Sequence, residues 1–429
     1  MGEKKVGRNA FIFIFITVLI NMIGFGIVMP VLPSLLMEIS GQGVADAARW
    51  GGLLAFVYAL MQFVMMPIIG GLSDRFGRRP VILISLAAFS LDYLVMAVAP
   101  TIGILLIART FAGAFAATFS TANAFIADIS PPEKRAANFG MMGAAFGLGF
   151  IIGPGLGGII GETYGTRAPF YAVAALGALN FIFGYFTLPE TLAPENRRPF
   201  EWRRANAFGN FIQFKKYPIM LPIAATLFLY QLAHWTFPSV WSYFAIEKFS
   251  WSEADIGWSL MFVGLVAALV QGGLTRIVIP KIGERAAVMV GISIAIATYF
   301  GFAFASNGPA LYALIAISGL AGLTQPSIQG IMSRTIPADA QGELQGAIAT
   351  IMSLSMMLGP FLMTQVFAAF SKPNTPISVF GIVVSENGAP VYFPGASFIL
   401  ASVLTLLGVI PLLYAFNKIK RQRPEAYSA

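Results

Sequence analysis

The chain has 429 residues, of which 57% are hydrophobic and only 11% are charged. A water-soluble globule usually needs about 25% charged residues to cover its surface. The chain has no cysteine and a single histidine. These counts exclude disulfide frameworks and thiolate metal sites, and they argue against Ser–His–Asp catalysis. The composition therefore predicts a membrane protein that is not an enzyme and that holds no metal or other cofactor.

Apolar runs separated by charges, prolines and glycines predict twelve transmembrane helices, since about 20 apolar residues cross a bilayer. The expected spans are 11–36, 50–72, 80–99, 102–127, 138–161, 169–188, 218–245, 256–279, 287–305, 309–334, 343–370 and 395–416. The first run is too long for a removable signal peptide, and Pro30 and Pro33 suit the end of a retained helix.

The basic residues lie mostly on one side of these spans. All but five of the 27 Lys and Arg residues fall at the termini or in the loops that follow even-numbered spans. The exceptions are Arg49, Arg167, Lys248 and Lys372 in the opposite loops and Arg109 inside a span. Because basic residues stay in the cytoplasm, both termini are expected there. The net charge of +8 thus reflects topology and does not indicate nucleic-acid binding.

The longest cytoplasmic loop, 189–217, separates a six-helix half at 1–188 from a second at 218–429. Six residues recur in type at a constant offset of 206 positions, which indicates a parallel repeat. The pairs are Gly77/Gly283, Arg79/Arg285, Pro131/Pro337, Gly140/Gly346, Gly153/Gly359 and Pro154/Pro360. The part of the loop at 200–214 fits equally well a basic amphipathic helix on the membrane surface and a solvated linker.

The loop after the second span reads GGLSDRFGRRP over 70–80. Gly70 is expected to let two helices approach closely, and Asp74 to accept bonds from arginines. An ordinary basic cytoplasmic loop is the alternative. The run resembles the loop signature of the major facilitator superfamily, in which this loop latches the outward-facing state. The resemblance implies a latch formed by Gly70, Asp74, Arg75, Gly77, Arg78 and Arg79, with Asp128 as its acidic partner.

The fifth span carries GFIIGPGLGG over 149–158, with small residues on successive turns around a proline. Small residues permit close helix contact, and a proline interrupts the backbone hydrogen bonds. Generic helix packing would explain the glycines but not their placement. The run resembles the signature of the antiporter branch of the superfamily, which marks exporters. The residues concerned are Gly149, Gly153, Pro154, Gly157 and Gly158.

Asp92 and Arg109 are the two charges that lie deep in apolar sequence, eight residues before and nine residues after Pro100. On a hairpin that turns at Pro100 they would sit at matched depth. An ionised carboxylate there must pair, face water or take up a proton, so Asp92 is the natural proton carrier. The alternative is a static pair that only holds the hairpin together. The sequence around Arg109 also resembles the superfamily's fourth-span motif, in which the arginine is tied to proton coupling.

Polar and aromatic residues within the spans provide a candidate lining for a substrate cavity. They are Asn21, Phe25, Gln62, Gln231, His234, Trp235, Gln271, Gln325 and Gln329, with Trp241 as a further aromatic candidate. Each polar one taken alone is more often an interhelical hydrogen bond, and His234 is more often a satisfied polar residue than a titrating one. Together they suit an amphipathic ligand.

Most of the chain resembles bacterial tetracycline exporters, which implies the inner membrane of a bacterium. The shared runs are GFGIVMPVLP at 24–33, YALMQ at 58–62, SLDYL at 90–94, GAAFGLG at 143–149, QGIMS at 329–333 and QGELQG at 341–346. Those exporters carry acidic residues at the positions of Asn21 and Ala295, and a histidine near Ala267. The departures weaken the case for a metal–tetracycline cation as cargo, whereas Asp92 and Arg109 persist.

These patterns favour a proton-coupled antiporter that exports amphipathic organic compounds, tetracycline-like drugs among them, and that works as a monomer. A proton-coupled importer of a small metabolite on the same fold is the alternative. A non-transporting sensor on a transporter fold and a membrane enzyme fit less well.

The topology gives a first prediction. A reporter enzyme that works only in the cytoplasm should be active when fused to either terminus, and one that works only outside the cytoplasm should be inactive there. This is expected because the basic loops lie on the same side as the termini. A C-terminal fusion that reports the opposite side would contradict the assignment, as would an odd number of spans in a loop-by-loop series.

Overall fold

The computed structural model describes residues 2–116, 118–202, 217, 219–337, 340–379, 382–385 and 388–422. Most of the surface helix considered at 200–214 lies outside these residues. The first part of the chain is helical, with a short 3-10 turn at Pro194–Asn196. Its helices are α1 (Gly2–Ser40), α2 (Val44–Phe76), α3 (Arg78–Val98), α4 (Ile102–Phe115), α5 (Thr118–Ile129), α6 (Pro132–Tyr164) and α7 (Ala168–Thr187).

The second part of the chain is also helical, apart from one short hairpin. Its helices are α8 (Met220–His234), α9 (Thr236–Phe249), α10 (Glu253–Leu269), α11 (Thr275–Phe304), α12 (Gly308–Ser318), α13 (Thr324–Thr335), α14 (Gln341–Ser371) and α15 (Ala396–Gln422). A π-helical turn, Val270–Leu274, joins α10 to α11, and a 3-10 turn, Gly319–Leu323, joins α12 to α13. The strands β1 (Ile377–Val379) and β2 (Ile382–Ser385) pair antiparallel.

The prediction of twelve transmembrane helices is confirmed, although several spans are broken. Among the described residues, ten helices are long and apolar enough to cross a membrane. One of them, Glu253–Phe304, has 52 residues and divides at Gly283, whose φ of 78° and ψ of 155° are not helical. The twelfth span is α8 followed by α9, which are too short to cross separately and meet at Trp235.

One compact unit, unit 1, comprises Met1–Gln42, Leu53–Ala207 and Trp251–Met261. Its core is formed where α1, α3, α5 and α6 meet, around the buried side chains of Phe13, Leu86 and Phe125. A buried hydrogen bond from Asn180 Nδ2 to Thr17 Oγ1, 2.9 Å long, ties α7 to α1. Paired polar groups of this kind hold helices together in an apolar environment.

The other unit, unit 2, comprises Gly43–Gly52, Phe208–Ser250 and Phe262–Ala429. Its core contains a cluster of aromatic rings centred on Trp241, which is fully buried. The rings of Phe302 and Phe398 lie 5.6 Å and 6.4 Å from that of Trp241, edge-on in both cases. The expectation that Trp241 lines a cavity is therefore wrong, because the ring is enclosed by its aromatic neighbours.

The N-terminal parts of α2 and of α10 pack in comparable ways in the two units. Gly52 of α2 lies against α14, where an added Cβ would meet Thr364 Oγ1. The backbone of α10 at Glu253 lies against Gly158 of α6. Thr364 follows Gly158 by 206 residues, the offset of the sequence repeat. The two contacts thus involve positions of α6 and α14 that are related by the sequence repeat.

Three of the four basic residues expected in the outer loops are paired with acids. Asp46 lies 3.4 Å from Arg49 and 3.0 Å from Lys372. Arg167 lies 2.9 Å from Glu38, and its guanidinium also donates to backbone carbonyls at the end of α3. These residues therefore have local structural partners, which accounts for basic charge on the side where it is otherwise scarce.

Candidate functional site

Asp92 of α3 and Arg109 of α4 form an ion pair inside unit 1. Asp92 Oδ2 lies 3.4 Å from Arg109 Nη1, and Asp92 is only 5% exposed. Its other oxygen, Oδ1, is buried and has no hydrogen-bond partner among the described residues. α3 ends at Val98 and α4 begins at Ile102, so the hairpin turns where the sequence indicated. The carboxylate is therefore paired through one oxygen only.

The guanidinium of Arg109 has three further neighbours. Its carbon lies 5.6 Å from the ring centre of Tyr58 and 5.9 Å from that of Tyr93. Its Nη2 contacts the sulfur of Met96. Aromatic faces attract a cation, and a thioether is a weak acceptor. Arg109 is thus held by several soft contacts as well as by the carboxylate.

At the other end of α3, Arg78 bridges two acidic residues of the predicted latch. Arg78 Nη1 lies 2.5 Å from Asp74 Oδ1, and Nε lies 3.3 Å from Asp128 Oδ2. Nη1 also donates to Ser73 Oγ at 3.1 Å. The structure therefore brings Asp74, Arg78 and Asp128 together and joins α2 and α3 to the end of α5.

Glu190, just after α7, caps the start of α3. Its carboxylate accepts hydrogen bonds from the backbone N–H groups of Arg78 at 2.9 Å and Arg79 at 3.2 Å. The preceding Gly77 has a φ of 106°, and an added Cβ would meet the Glu190 carboxylate. A carboxylate is favoured at a helix N-terminus, where backbone N–H groups are unpaired. Gly77 is therefore required both by its dihedral angle and by the space that Glu190 occupies.

The remaining latch candidates make other contacts. Arg79 donates to the backbone carbonyl of Tyr185 at 2.7 Å and lies over that ring. Arg75 lies over the ring of Phe76. At Gly70 no described atom would lie within 4 Å of an added Cβ, so the close packing expected there stays a prediction. At the neighbouring Gly71 an added Cβ would lie 3.0 Å from the ring of Phe200, which follows the first six-helix half.

The glycines of the α6 run face α1. Added Cβ atoms would lie 2.5 Å from Met22 Cβ at Gly149, and 2.6 Å from backbone carbonyls of α1 at both Gly153 and Gly157. These three residues recur every fourth position, so they share one face of the helix. A side chain at any of them would push α1 away.

A second face of α6 meets the start of α10. At Gly158 an added Cβ would meet the backbone carbonyl of Glu253. A Cβ on Gly257 would lie 2.6 Å from the backbone carbonyl of Pro154. Two helices therefore approach the run at once, which accounts for small residues on neighbouring positions.

Comparison with known proteins identifies the family. The family model of the Major Facilitator Superfamily matches residues 14–360. The chain belongs to this superfamily. It is 39% identical to the class C tetracycline resistance protein of Escherichia coli, over 84% of this chain and 90% of that protein. It is 35% identical to the class B tetracycline resistance protein of Escherichia coli, over 84% of this chain and 88% of that protein.

A solved structure supports the same fold. A bacterial homolog of the human lysosomal transporter Spinster superposes with a TM-score of 0.76 at 16% identity. The match covers 96% of this chain and 97% of that one. The protein is therefore a multi-pass membrane transporter with the major facilitator fold, which agrees with the resemblance drawn from the sequence.

The three cavity candidates of unit 1 have different surroundings. Asn21 donates from Nδ2 to the Thr17 carbonyl of its own helix at 2.9 Å. Phe25, one turn later on α1, is 37% exposed and its ring stacks 6.3 Å from Phe150. Gln62 donates to the carbonyl of Ala116 at 3.2 Å, where α4 ends. Phe25 is thus partly exposed beside another ring, whereas Gln62 bonds to the backbone where α4 ends.

The candidates at the break between α8 and α9 lie in unit 2. Gln231 is 4% exposed, and its Oε1 is buried with no hydrogen-bond partner among the described residues. His234 is exposed and its ring stacks 6.3 Å from Tyr230. Trp235 is half-buried, with its Cβ 2.7 Å from where a Cβ on Gly359 would be. The break between α8 and α9 therefore carries both an aromatic-stacked imidazole and a buried amide oxygen that lacks a donor among the described residues.

The other three candidates of unit 2 lie at or near irregular turns. Gln271 is exposed and lies in the π-helical turn, and its Cγ is 3.7 Å from where a Cβ on Gly322 would be. Gln325 follows the 3-10 turn and contacts the sulfur of Met352 at 3.9 Å. Gln329, one turn later, is half-buried. Irregular helical turns often mark functional positions.

Sequence reasoning did not single out three residues that the geometry makes central: Tyr58, Tyr93 and Glu190. In the sequence, Tyr58 and Tyr93 stand out only as parts of the runs shared with tetracycline exporters. Spacing along the chain does not show that the two rings face one arginine. Glu190 had a usable signal. It is an acidic residue immediately after a span, on the side where basic residues are expected.

The latch geometry gives a second prediction. Asp74→Asn, Arg78→Ala and Glu190→Gln should each slow transport about tenfold with little change in substrate binding, because each removes a charge-assisted contact that holds one conformation. Transport by proteoliposomes and equilibrium binding of tetracycline would measure the two effects. Glu195→Gln, on the exposed 3-10 turn, is the matched control. Normal transport by all three variants, with unchanged labelling from both sides, would contradict the latch.

Proposed function

We propose that the protein is a proton-coupled antiporter that exports amphipathic organic compounds, tetracycline-like drugs among them. It would act by alternating access as a monomer in the inner membrane of a bacterium, with both termini in the cytoplasm. The observation that carries the coupling is the buried Asp92 carboxylate, which has one oxygen paired with Arg109 and the other unpaired. The similarity to tetracycline resistance proteins supports export of this class of compound.

The pair suggests how a proton would be exchanged. While Arg109 lies beside Asp92, the cation stabilises the ionised carboxylate. When the two separate, the carboxylate is left in apolar surroundings, which favour its protonated form. Proton binding and the conformational state are then linked, so the proton gradient can drive the cargo outwards. Each proton that moves down a potential of 100 mV releases about 2.3 kcal/mol, enough for a concentration ratio of about fifty.

The polar and aromatic candidates support an amphipathic cargo. The residues of unit 2 around His234 combine aromatic faces with amide and imidazole groups. Such surfaces suit a ligand that has an apolar body and a few polar groups. Asn21 stands where tetracycline exporters carry an acid, which favours cargo that is not bound as a metal chelate.

Substitution of the carboxylate gives a third prediction. Asp92→Asn should abolish pH-driven uphill export while tetracycline binding is retained, because an amide cannot exchange a proton. Asp92→Glu should keep part of the activity. Transport by proteoliposomes with an imposed pH gradient would measure this, with Asp255→Asn as a carboxylate control at the start of α10.

The double variant Asp92→Asn with Arg109→Gln separates coupling from a static role. If the pair only neutralises charge, removal of both charges should restore pH-driven export. Uphill export by the double variant would assign Asp92 to structure. Accumulation of the cargo with the proton gradient, instead of against it, would favour the importer alternative.

A further inference from the structure

Two tyrosines enclose the guanidinium of Arg109. Tyr58 approaches from α2 with its ring centre 5.6 Å from the guanidinium carbon. Tyr93, next to Asp92 on α3, approaches to 5.9 Å. Both distances are within the range of a cation–π contact. Arg109 is therefore placed between two aromatic faces and a carboxylate.

The position of Tyr58 is set by a close contact between two helices. Gly113 lies one turn after Arg109 on α4, so the two residues share a helix face. A Cβ on Gly113 would meet the backbone carbonyl of Tyr58 and would lie 3.0 Å from Met61 Cβ. Only glycine lets α2 approach this closely, and the approach brings the Tyr58 ring to Arg109.

The ring of Tyr93 is equally constrained. Tyr93 is 4% exposed, and its ring centre lies 4.7 Å from that of Phe89. A Cβ on Gly24 would lie 2.7 Å from Phe89 and 3.0 Å from the Tyr93 hydroxyl, so these side chains fill the space beside α1. A ring packed this tightly cannot follow Arg109 if the guanidinium moves.

The ion pair itself is long. The Asp92–Arg109 distance of 3.4 Å exceeds the 2.7–2.9 Å of a well-formed charge-assisted hydrogen bond. A guanidinium can pair with both oxygens of a carboxylate, yet here Oδ1 has no hydrogen-bond partner among the described residues. The guanidinium instead contacts the two rings and the sulfur of Met96.

Among the described residues of the helices that pack most on α3, the other charged and phenolic side chains are paired or exposed. The helices α4, α5 and α7 pack on it. Beyond Arg109, the charged and phenolic side chains described on these helices are Asp128, Tyr171 and Tyr185. Asp128 pairs with Arg78, Tyr185 contacts Arg79, and Tyr171 is 47% exposed.

We propose that Tyr58 and Tyr93 are positioning residues that hold Arg109 back from Asp92, so that Oδ1 stays free to accept a proton. The inference rests on the proposed function, in which Asp92 carries the proton. Aromatic rings suit this task because they attract the cation without adding a second carboxylate. If a ring is lost, the guanidinium moves towards both carboxylate oxygens, and protonation then needs a higher proton concentration.

The test is the pH dependence of tetracycline transport by proteoliposomes, measured at a fixed pH difference over a series of pH values. Tyr58→Leu should move the midpoint to lower pH by about 0.5 to 1 unit. Tyr58→Phe, which keeps the ring, should restore the wild-type midpoint. Tyr171→Leu, on the exposed face of α7, controls for loss of a tyrosine elsewhere.

Ring-fluorinated phenylalanines at position 58 keep the shape of the ring and weaken its attraction for a cation with each fluorine. They provide the test if Tyr58→Leu does not fold. The midpoint should fall with each added fluorine. Midpoints for Tyr58→Leu or the fluorinated series that coincide with wild type would overturn the inference. Unchanged midpoints for the Tyr58 variants would leave the proposed function intact if Asp92→Asn abolishes pH-driven export in the same assay. Transport by Asp92→Asn with an unchanged pH profile would instead overturn the proposed function.

Discussion

An ionised carboxylate is expensive to hold inside a bilayer, and the carboxyl group of Asp92 is buried inside unit 1. The charge is compensated by Arg109 across a helix hairpin whose turn is fixed at Pro100. That compensation is incomplete, because one oxygen of the carboxylate has no partner among the described residues. Incomplete compensation is what allows a group to change its protonation when its surroundings change.

The glycine contacts serve the same arrangement. Gly113 brings α2 to α4 at Tyr58, and Gly149, Gly153 and Gly157 bring α6 to α1. In a membrane, where lipid is as apolar as the helices, such close packing is a main source of helix association. Close packing can therefore hold polar and charged groups at fixed distances without the hydrophobic effect that stabilises the core of a water-soluble protein.

Ionic and helix-capping contacts dominate the N-terminal end of α3. There Arg78 bridges Asp74 and Asp128, while Glu190 binds the first backbone N–H groups of the helix. The same helix thus carries the proposed proton site near one end and the predicted latch at the other. A movement of α3 would alter both sites, which offers a physical route for coupling between them.

Much of this organisation could be predicted from the sequence, because the bilayer restricts the fold so strongly. Apolar length and basic loops indicated twelve spans, and the isolation of Asp92 and Arg109 in apolar sequence indicated their pairing. The breaks at Trp235 and at the irregular turns before Thr275 and Thr324 were not predicted, since apolar runs continue through them. The expectation for Trp241 is wrong because residue type alone does not show which neighbours surround a helix face.

The central claim is that Asp92 carries the proton that is exchanged for the cargo. Proton release by the purified protein on addition of tetracycline, followed with a pH indicator in weak buffer, tests it most directly. We expect wild-type protein to release protons as it binds the drug, and Asp92→Asn to bind the drug without releasing any. Equal release by both proteins would contradict the claim and place the exchanged proton on another group.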